Sequence, residues 1–447
     1  MKKVLSVLLA ATMVAAMAGC SGGSTGTTPP APAPSAAPEA SAAPAADTYA
    51  VTEPIEIEFW HALETQYQPT VDKVVAEFEK QNPNIKVKAI YQGKYSELNE
   101  KLIAAQAAGT TLPAVTAANT PYVAEYGASG MCEVLDPYIA ATGFEIDDFG
   151  KGLVASTQYD GQQVTLPFLI STQVMYYNKT MADAEGIKMP ETIAEMDDFM
   201  KKASKVNNGV TERYATVIPG WDQWYFETFY LNQGVKLINE DGKSTDLDSE
   251  KAIGIANQFK KWCDDGVAYW AYGTDASNIM RQNFIDGKAF SVMHTSSLYN
   301  TYVDKCDFEV GMHYYPGDIT RNSEVGGSVL LIPAKNDQKV KNAGWQFLSF
   351  LCSKDINMLW AKETGYMPTR NSVLETEEGK KFLEEKPAFK AIFDNLDSIN
   401  PRIQHPAYST FSKLWMESMG KSIIEKGDIP TDMKAVAKLM NETLADA

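Results

Sequence analysis

The sequence predicts an α/β protein of two lobes with mainly parallel sheets. From Val51 onward, runs in which every second residue is apolar, typical of strands, take turns with runs whose apolar residues recur at helical spacing. This alternation favours parallel strands that are joined by helical crossovers. The stretch from Val51 to Ala447 is also too long for one ordinary domain, so we expect two lobes, each with a core.

The first part of the body shows this alternation most clearly. Ile55, Ile57 and Phe59 alternate as in a strand. The helix that follows ends at Asn82-Pro83, because the residue before a proline disfavours helical backbone. The predicted elements are a strand at 55–59, a helix at 68–81, a strand at 85–91, a helix at 96–108 and a strand at 114–118.

The later part of the body predicts a second α/β lobe. Residues 164–179 are typical of extended chain, and we expect them to leave the first lobe. Further elements follow in order: helices at 191–206 and 249–264, strands at 289–294 and 329–332, and a helix-rich segment from Glu375 that prolines divide.

The N-terminus has the pattern of an export signal. Lys2 and Lys3 precede an apolar run, and Met17 to Cys20 resembles a lipoprotein signal box in which Cys20 is lipidated. An ordinary secretory signal with a chance cysteine is the alternative. Residues 21–50 are rich in Pro, Ala, Gly and Ser and are expected to form a tether between anchor and body.

Charge and cysteine content exclude several classes of partner. The formal net charge of −17 argues against nucleic acid and against anionic lipid as the main partner. The inner cysteines form no CxxC pair and no histidine cluster accompanies them, so we expect no metal site and no cofactor. Two disulfides and four free buried thiols remain open alternatives for Cys132, Cys263, Cys306 and Cys352.

The sequence shows no recognisable catalytic motif. A nucleophile elbow, a phosphate loop, HExxH and a dinucleotide fingerprint are all missing. Adjacent acidic pairs such as Asp147-Asp148 would suit a glycosidase only if both carboxylates faced one site, but helical neighbours point to different faces. We therefore expect a protein that is not an enzyme.

Six short passages across the body occur in an order shared with a known family. They are FWHALE (59–64), FEKQNPNIKVK (78–88), MYYNKTMADAEGI (175–187), FIDGKAFSVMHTSS (284–297), GGSVLLIPAKN (326–336) and ETGYMPTRNSV (363–373). Together they resemble the family 1 extracellular solute-binding lipoproteins, which deliver carbohydrate-like solutes to ABC importers. The resemblance implies a periplasmic-binding-protein-like fold of type II with the ligand in the cleft between the lobes.

Within that family the chain resembles most the branch that binds glycerol 3-phosphate and glycerophosphodiesters. The Gly220 to Trp224 step matches a Gly-Trp-x-x-Trp signature of that branch. The branch also has an arginine just after a proline near the C-terminus, to hold phosphate, whereas this chain has Ala407 after Pro406. A neutral sugar or polyol therefore competes with a phosphate ligand, with Arg402 and Arg370 as replacement candidates.

The resemblance implies a set of ligand contacts in the cleft. Trp221 and Trp224 would supply flat apolar faces for the C–H side of a sugar or glycerol, while the aromatic residues after them form core. His61 could line the cleft or make a structural hydrogen bond, and Arg370 could meet a phosphate or a surface carboxylate. The contacts implied by similarity are Tyr95, Ser171, Trp221, Trp224, Ser296, Gly327 and Tyr366.

These inferences combine into one functional hypothesis. The chain is expected to be the solute-binding component of a bacterial ABC importer, a monomer anchored by lipid outside the cytoplasm, with permease subunits as its partners. A secreted carbohydrate-active enzyme and a surface adhesion protein are the alternatives. The expected domains are a signal at 1–20, a tether at 21–50, a first lobe of 51–167 with 327–368, and a second lobe of 168–326 with 369–447.

Overall fold

The computed structural model of the protein describes residues 49–63, 67–393 and 399–446. The predicted signal with Cys20 and nearly all of the predicted tether lie outside these residues. The strands are β1 (Ile55–His61), β2 (Ile85–Tyr91), β3 (Val115–Asn119), β4 (Gln158–Tyr159), β5 (Gln162–Gln163), β6 (Leu166–Asn178), β7 (Lys205–Asn207), β8 (Val210–Pro219), β9 (Ala268–Ala271), β10 (Ala289–Thr295), β11 (Val310–Tyr314), β12 (Ser323–Leu331) and β13 (Ile399–Asn400).

Helices occupy both faces of the sheet that these strands form. They are α1 (Gln68–Gln81), α2 (Tyr95–Ala108), α3 (Val123–Ala128), α4 (Asp136–Thr142), α5 (Lys151–Ala155), α6 (Lys179–Glu185), α7 (Met196–Ala203), α8 (Trp224–Leu231), α9 (Glu250–Asp264), α10 (Ala276–Ile285), α11 (Tyr299–Lys305), α12 (Gln338–Leu351), α13 (Lys354–Thr364), α14 (Asn371–Glu375), α15 (Glu377–Glu385), α16 (Lys390–Phe393), α17 (Tyr408–Ile424) and α18 (Ile429–Ala445).

The predicted order of elements in the first lobe is confirmed. β1 pairs in parallel with β2 on one side and with β3 on the other, as expected for strands joined by helical crossovers. The apolar face of α1 is buried at Val71, Val74 and Phe78. The helix ends where the Asn82 N–H donates to the Phe78 carbonyl at 2.8 Å, one residue before Pro83.

The second lobe contains the predicted α/β pattern with one helix shortened. β8 pairs in parallel with β9 and β10, and the predicted helix at 249–264 is present as α9. The Ser249 side chain caps α9 by accepting the Ala252 N–H at 3.2 Å. The predicted helix at 191–206 is only α7, because residues from Lys205 pair with β8 as strand β7.

Two long strands, β6 and β12, connect the lobes and run antiparallel to each other, and β12 also pairs in parallel with the short β13. The first half of β6 pairs with β12, and its second half pairs with β10 and β11. β12 begins at Ser323, six residues before the predicted start at Val329, and it also pairs with β3. The parallel strands of the two lobes are therefore linked by the antiparallel pair β6 and β12, which takes part in the sheet of both lobes.

Each lobe has a core on both faces of its part of the sheet. Alternate residues of β6 show this, since Val174 and Tyr176 pack on one side and Met175 on the other. In the first lobe, Phe59 and Leu166 pack under α1 and α12, while Leu331 packs on the opposite side under α2 and α3. None of the helices within the described ranges is long and apolar enough to cross a membrane.

Candidate functional site

Most of the predicted contact residues lie together where β6 pairs with β12 around Ser171 and Gly326, a place called the β6–β12 crossing below. Gly326 lies opposite Ser171 in the strand register, and Gly327 lies opposite Ile170. The Ile170 carbonyl accepts the N–H of Met367, the residue after Tyr366, at 2.9 Å. One residue beyond Ser171, the Thr172 N–H donates to Oγ of Ser296 at 3.1 Å. Segments that are distant in sequence thus meet within three residues of β6.

The indole of Trp224 lies directly against this crossing. A Cβ placed on Gly326 would be 2.4 Å from Cη2 of Trp224 and 3.0 Å from Oγ of Ser171, so a glycine is what makes room for the ring. The Gln173 side-chain amide also donates to the Trp224 carbonyl at 2.8 Å, which ties the start of α8 to β6. Trp224 is only 5% exposed.

Trp221 occupies a more open position at the end of β8. The chain turns there over the indole of Trp270, which a Cβ on Gly220 would meet at 1.9 Å, so only glycine fits. Trp221 is half-buried, donates Nε1–H to Sδ of Met280 at 3.3 Å and meets the Tyr225 ring edge-on with centroids 5.4 Å apart. The aromatic residues further along α8 are buried: Phe226, Phe229 and Tyr230. The stretch thus begins with a partly exposed ring and continues into the core, as predicted.

Asp222 lies just before α8, whose N-cap residue is Gln223. Its Oδ1 accepts the Trp224 N–H at 3.0 Å. Burial raises the pKa of the Asp222 carboxyl, and the positive charge of Arg402 opposes that rise. The carboxyl group therefore binds the first residue of α8 and lies within reach of a cation's charge.

Gly327 has a backbone conformation that other residues rarely adopt. Its φ is +105°, and a Cβ there would lie 1.9 Å from the Leu169 carbonyl oxygen. β12 therefore approaches β6 more closely at this point than any side chain allows. The register between the two strands also shifts between Ser328 and Val329.

The turn that carries Tyr366 packs on the segment that carries Ser296. A Cβ on Gly365 would lie 3.0 Å from the Ser297 carbonyl oxygen, which places the turn directly over the end of β10. The Tyr366 ring lies 6.0 Å from the ring of Tyr67, which precedes α1. Aromatic residues from the first lobe thus reach the crossing as well.

A group of buried charges behind Trp224 was not predicted from the sequence. The guanidinium carbon of Arg402 lies 5.5 Å from the Trp224 ring centroid, and its Nη2 lies 3.3 Å from Oε1 of Glu227. Tyr408 donates its hydroxyl to Oε2 of Glu227 at 2.6 Å. Glu324 lies next to this group, and its Oε2 accepts hydrogen bonds from Gln173 and Thr228, each at 3.3 Å.

This group carries less negative charge than its two carboxyl groups suggest. Burial, and then the nearby charge of Glu227, raise the pKa of Glu324 well above its usual value. Its neutral, protonated form is therefore favoured, and Glu227 serves as the counter-ion of Arg402. Burial alone would lower the pKa of Arg402, but Tyr408, Glu227 and the other acids raise it overall, so the guanidinium stays charged.

The first lobe supplies the facing wall through the segment after β3. The Gln404 side-chain amide, from the second lobe, donates to the Thr120 carbonyl at 3.4 Å. Burial raises the pKa of Tyr122 to about 12, with further contributions from the charges of Asp222 and Glu125. The charge of Asp222, from the second lobe, thus acts on a hydroxyl of the first lobe.

Several buried polar atoms near this space have no hydrogen-bond partner among the described residues. Buried polar groups are nearly always paired, so a cluster of unpaired ones indicates a place where water or a ligand supplies the missing partners. The atoms are Nε1 of Trp224, Nε of Arg402, Oγ1 of Thr120 and Oε1 of Gln404. They include donors and acceptors, as suits a hydroxyl-rich molecule.

The structure does not connect His61, Tyr95 and Arg370 with the crossing. His61 ends β1, is completely buried beside Phe59, and burial lowers its pKa to about 4, so the ring is neutral. Tyr95 is the first residue of α2 and packs on the core of the first lobe. Their predicted contact with a ligand stays a prediction.

Arg370 instead holds parts of the first lobe together. Its Nε donates to the Cys352 carbonyl at 2.6 Å and its Nη1 to Oδ2 of Asp148 at 3.2 Å. The guanidinium also lies over the rings of Phe144 and Phe149, at 4.9 and 4.4 Å from their centroids. The geometry favours the structural alternative, a partner for a carboxylate and a carbonyl, over contact with a phosphate in the cleft.

The four inner cysteines are free thiols in the structure. Burial raises the pKa of Cys132, Cys263 and Cys352 to about 12 and that of Cys306 to about 11, so these thiols are protonated and unreactive at neutral pH. Of the two alternatives open from the sequence, free thiols are the one observed. Among the residues with described positions, no group of His, Cys, Asp and Glu side chains is arranged to hold a metal ion.

Comparison with known proteins gives the family and the fold. The family model for bacterial extracellular solute-binding proteins matches residues 73–391. The sn-glycerol-3-phosphate-binding periplasmic protein UgpB of Pectobacterium atrosepticum is 25% identical over 74% of this chain and 77% of its own length.

Solved structures add a likeness of fold. UgpB from Mycobacterium tuberculosis, solved in complex with glycerophosphocholine, has a TM-score of 0.78 and 21% identity, covering 88% of this chain and 99% of that one. The GacH receptor of Streptomyces glaucescens, solved unliganded and with acarbose, has a TM-score of 0.75 and 21% identity, covering 88% and 98%. The predicted two-lobed, periplasmic-binding-protein-like fold is thus confirmed.

Proposed function

Because this chain belongs to the family of bacterial extracellular solute-binding proteins, we propose that it captures a small, hydroxyl-rich solute and delivers it to the permease subunits of an ABC importer. The observation that carries this proposal is the convergence at the β6–β12 crossing of Trp224, two serines and several unpaired buried polar atoms, with the half-buried Trp221 three residues before Trp224. Such a site combines apolar faces with a few polar groups, as small-molecule sites usually do. The relatives that bind glycerol 3-phosphate and the structures that hold acarbose or glycerophosphocholine are consistent with a solute of this kind.

The solute would be held by stacking and by hydrogen bonds from separate groups. The half-buried ring of Trp221 offers its face to the C–H side of a sugar or polyol, and Trp224 closes the inner end of the site. Oγ of Ser296 already accepts the Thr172 N–H, so its own hydrogen is free to donate. No covalent step is needed, and we propose that the protein is not an enzyme.

Closure of the lobes would rely on the connecting strands. Thr172 donates its hydroxyl to Oγ of Ser323 at 2.5 Å, and the Gln173 side chain accepts the Glu324 N–H at 2.7 Å, so β6 and β12 are joined by side chains as well as by the strand ladder. A hinge of several bonded strands moves as a unit, which favours a clamp around the solute. The lobes that move are proposed to be 51–167 with 327–368, and 168–326 with 369–447.

We propose that the protein acts as a monomer, tethered outside the cytoplasm. The family places the chain outside the cytoplasm, and the N-terminal pattern supports lipidation at Cys20. The composition of residues 21–50, rich in Pro, Ala, Gly and Ser, supports a tether between the lipid anchor and the body.

A thermal-shift screen with sugars, polyols and glycerol phosphates tests the proposed function. A single-site ligand at a hundred times its Kd stabilises the folded protein by about 2.7 kcal/mol, which raises Tm measurably. We expect at least one of these solutes to raise Tm and to be recovered chemically unchanged. Hydrolysis of the solute would instead support the carbohydrate-active enzyme, and no shift with any of them would contradict solute capture.

A further inference from the structure

We infer that the solute of this site carries no net negative charge, because the acidic side chains around Trp224 outnumber the one arginine that faces it. The inference rests on the proposed function and narrows it. An anion such as glycerol 3-phosphate is excluded, whereas uncharged sugars and polyols, and a zwitterion such as glycerophosphocholine, are not.

Arg402, which a phosphate ligand would need, already has a buried counter-ion, although its Nε–H has no partner among the described residues. It is 5% exposed, and its Nη2 lies 3.3 Å from Oε1 of Glu227, a side chain with no exposed surface. The same Nη2 donates to the Tyr408 hydroxyl at 3.1 Å. A phosphate is usually held by two parallel N–H groups of a free guanidinium fork, and here the fork is partly committed to a carboxylate that cannot leave.

The second buried carboxyl group, that of Glu324, adds no negative charge to the group while it is protonated. Glu324 is 1% exposed, and its Oε2 is held by Gln173 and Thr228. With Glu324 neutral, Arg402 and Glu227 cancel, so the buried group has no net charge. Any ionisation of Glu324 would make the group negative and would oppose an anionic ligand further.

On the side of the site nearest the cleft, Asp222 adds a further carboxyl group. Asp222 is half-buried and its Oδ1 accepts the backbone N–H of Trp224, while the first lobe contributes the carboxyl of Glu125. Another cation on the Trp221 side, Arg281, donates Nη2 to Oδ1 of Asn278 at 2.6 Å within its own helix. A carboxylate next to aromatic rings accepts hydrogen bonds from sugar hydroxyls and repels a phosphate.

Isothermal titration of the full chain with charged and uncharged probes tests the inference. The probes are glycerol 3-phosphate, glycerophosphocholine, and an uncharged set of glycerol, myo-inositol, glucose and maltose. We expect the wild type to bind at least one probe without net charge and to show no saturable binding of glycerol 3-phosphate at millimolar concentration. Asp222→Asn should improve the affinity for glycerol 3-phosphate by about tenfold or more, since one unit of negative charge is removed beside the ligand.

The control removes the same charge from a remote, exposed position. Glu384→Gln should leave the response to glycerol 3-phosphate unchanged, because Glu384 lies on the exposed side of α15. Preferential binding of glycerol 3-phosphate by the wild type would overturn the inference while upholding solute capture. An Asp222→Asn variant that binds glycerol 3-phosphate no better than wild type would overturn the charge argument, and a chain that binds none of the probes would contradict the proposed function as well.

Discussion

Replacing Gly326 by alanine should damage solute binding through the position of Trp224. The added Cβ would lie 2.4 Å from Cζ2 and Cη2 of that ring, whereas ordinary contacts begin near 3.4 Å, so the ring must move by about 1 Å. It cannot retreat easily, because the Tyr225 ring lies 5.0 Å away on one side and Arg402 lies 5.5 Å from the ring centroid. The backbone of Gly326 itself does not require glycine, since its φ is not among the positive values.

The expected cost follows from overpacking of a closely packed site. Such insertions destabilise by about 1–3 kcal/mol, which lowers the Tm of a protein of this size by a few degrees. Because the displaced ring is also one wall of the proposed site, we expect the solute affinity to fall by roughly tenfold to a hundredfold, about 1.4 kcal/mol for each factor of ten.

The assay is titration calorimetry with the solute that the thermal-shift screen identifies, next to a melting curve of each variant. Gly254→Ala is the matched control, since a Cβ there meets nothing within 4 Å in the middle of α9. It should leave affinity unchanged and raise stability by up to about 1 kcal/mol. If Gly326→Ala binds the solute as tightly as the control does, Trp224 is not a wall of the site.

Four further substitutions probe the tryptophans and the buried charges. Trp221→Ala should weaken solute binding by about tenfold or more with a small change in Tm, because the ring is only half-buried. Trp224→Ala should lower both the solute affinity and the Tm, because its ring is buried; calorimetry measures the affinity and melting curves measure the Tm. Arg402→Met should lower the free energy of unfolding in urea by about 3–5 kcal/mol, since Glu227 is left buried without its counter-ion; a loss below 1 kcal/mol would contradict the pairing. The pKa of Glu324 is raised in the folded state, so wild-type stability should fall as pH rises above the ordinary carboxyl value near 4.5, and Glu324→Gln should lack that slope in urea melts from pH 5 to 8.

The first lobe was predicted well because its elements are specified locally. The apolar spacing of α1 and the alternation in β1 lie within short windows, and both elements occur where the sequence indicates. The antiparallel pairing of β6 with β12 was not predicted, because it joins residues more than 150 positions apart. Gly326 and Gly327 precede the strand predicted at 329–332, whereas in the structure they lie inside β12, where Gly326 makes room for the Trp224 ring and Gly327 for the close approach of β6.

The candidate site was predicted in part. Ser171, Trp224, Ser296 and Gly327 were named from resemblance, and the structure gathers them at one crossing; their contact with a solute stays a prediction. Glu227 escaped notice because it stands alone in the apolar run of α8, although a lone charge in such a run is itself the signal of a buried partner. Its partner in space comes from a loop 175 residues later, which no local pattern shows.

Arg370 was named as a candidate ligand contact, but its observed partners lie within the first lobe. It follows a short turn near Tyr366, so a role in the cleft was a reasonable expectation from position in the sequence. The structure directs its guanidinium to the Phe144 to Phe149 segment of the first lobe. Direction of a long side chain depends on tertiary packing, which a single sequence does not reveal.

A crystal structure of the protein with its solute tests the account most directly. We predict that the solute lies between Trp221 and the β6–β12 crossing, with its oxygens within hydrogen-bond distance of Ser171 or Ser296 and its apolar side on the Trp221 ring. A solute bound elsewhere, with the space beside Trp221 and Trp224 filled only by water, would contradict it.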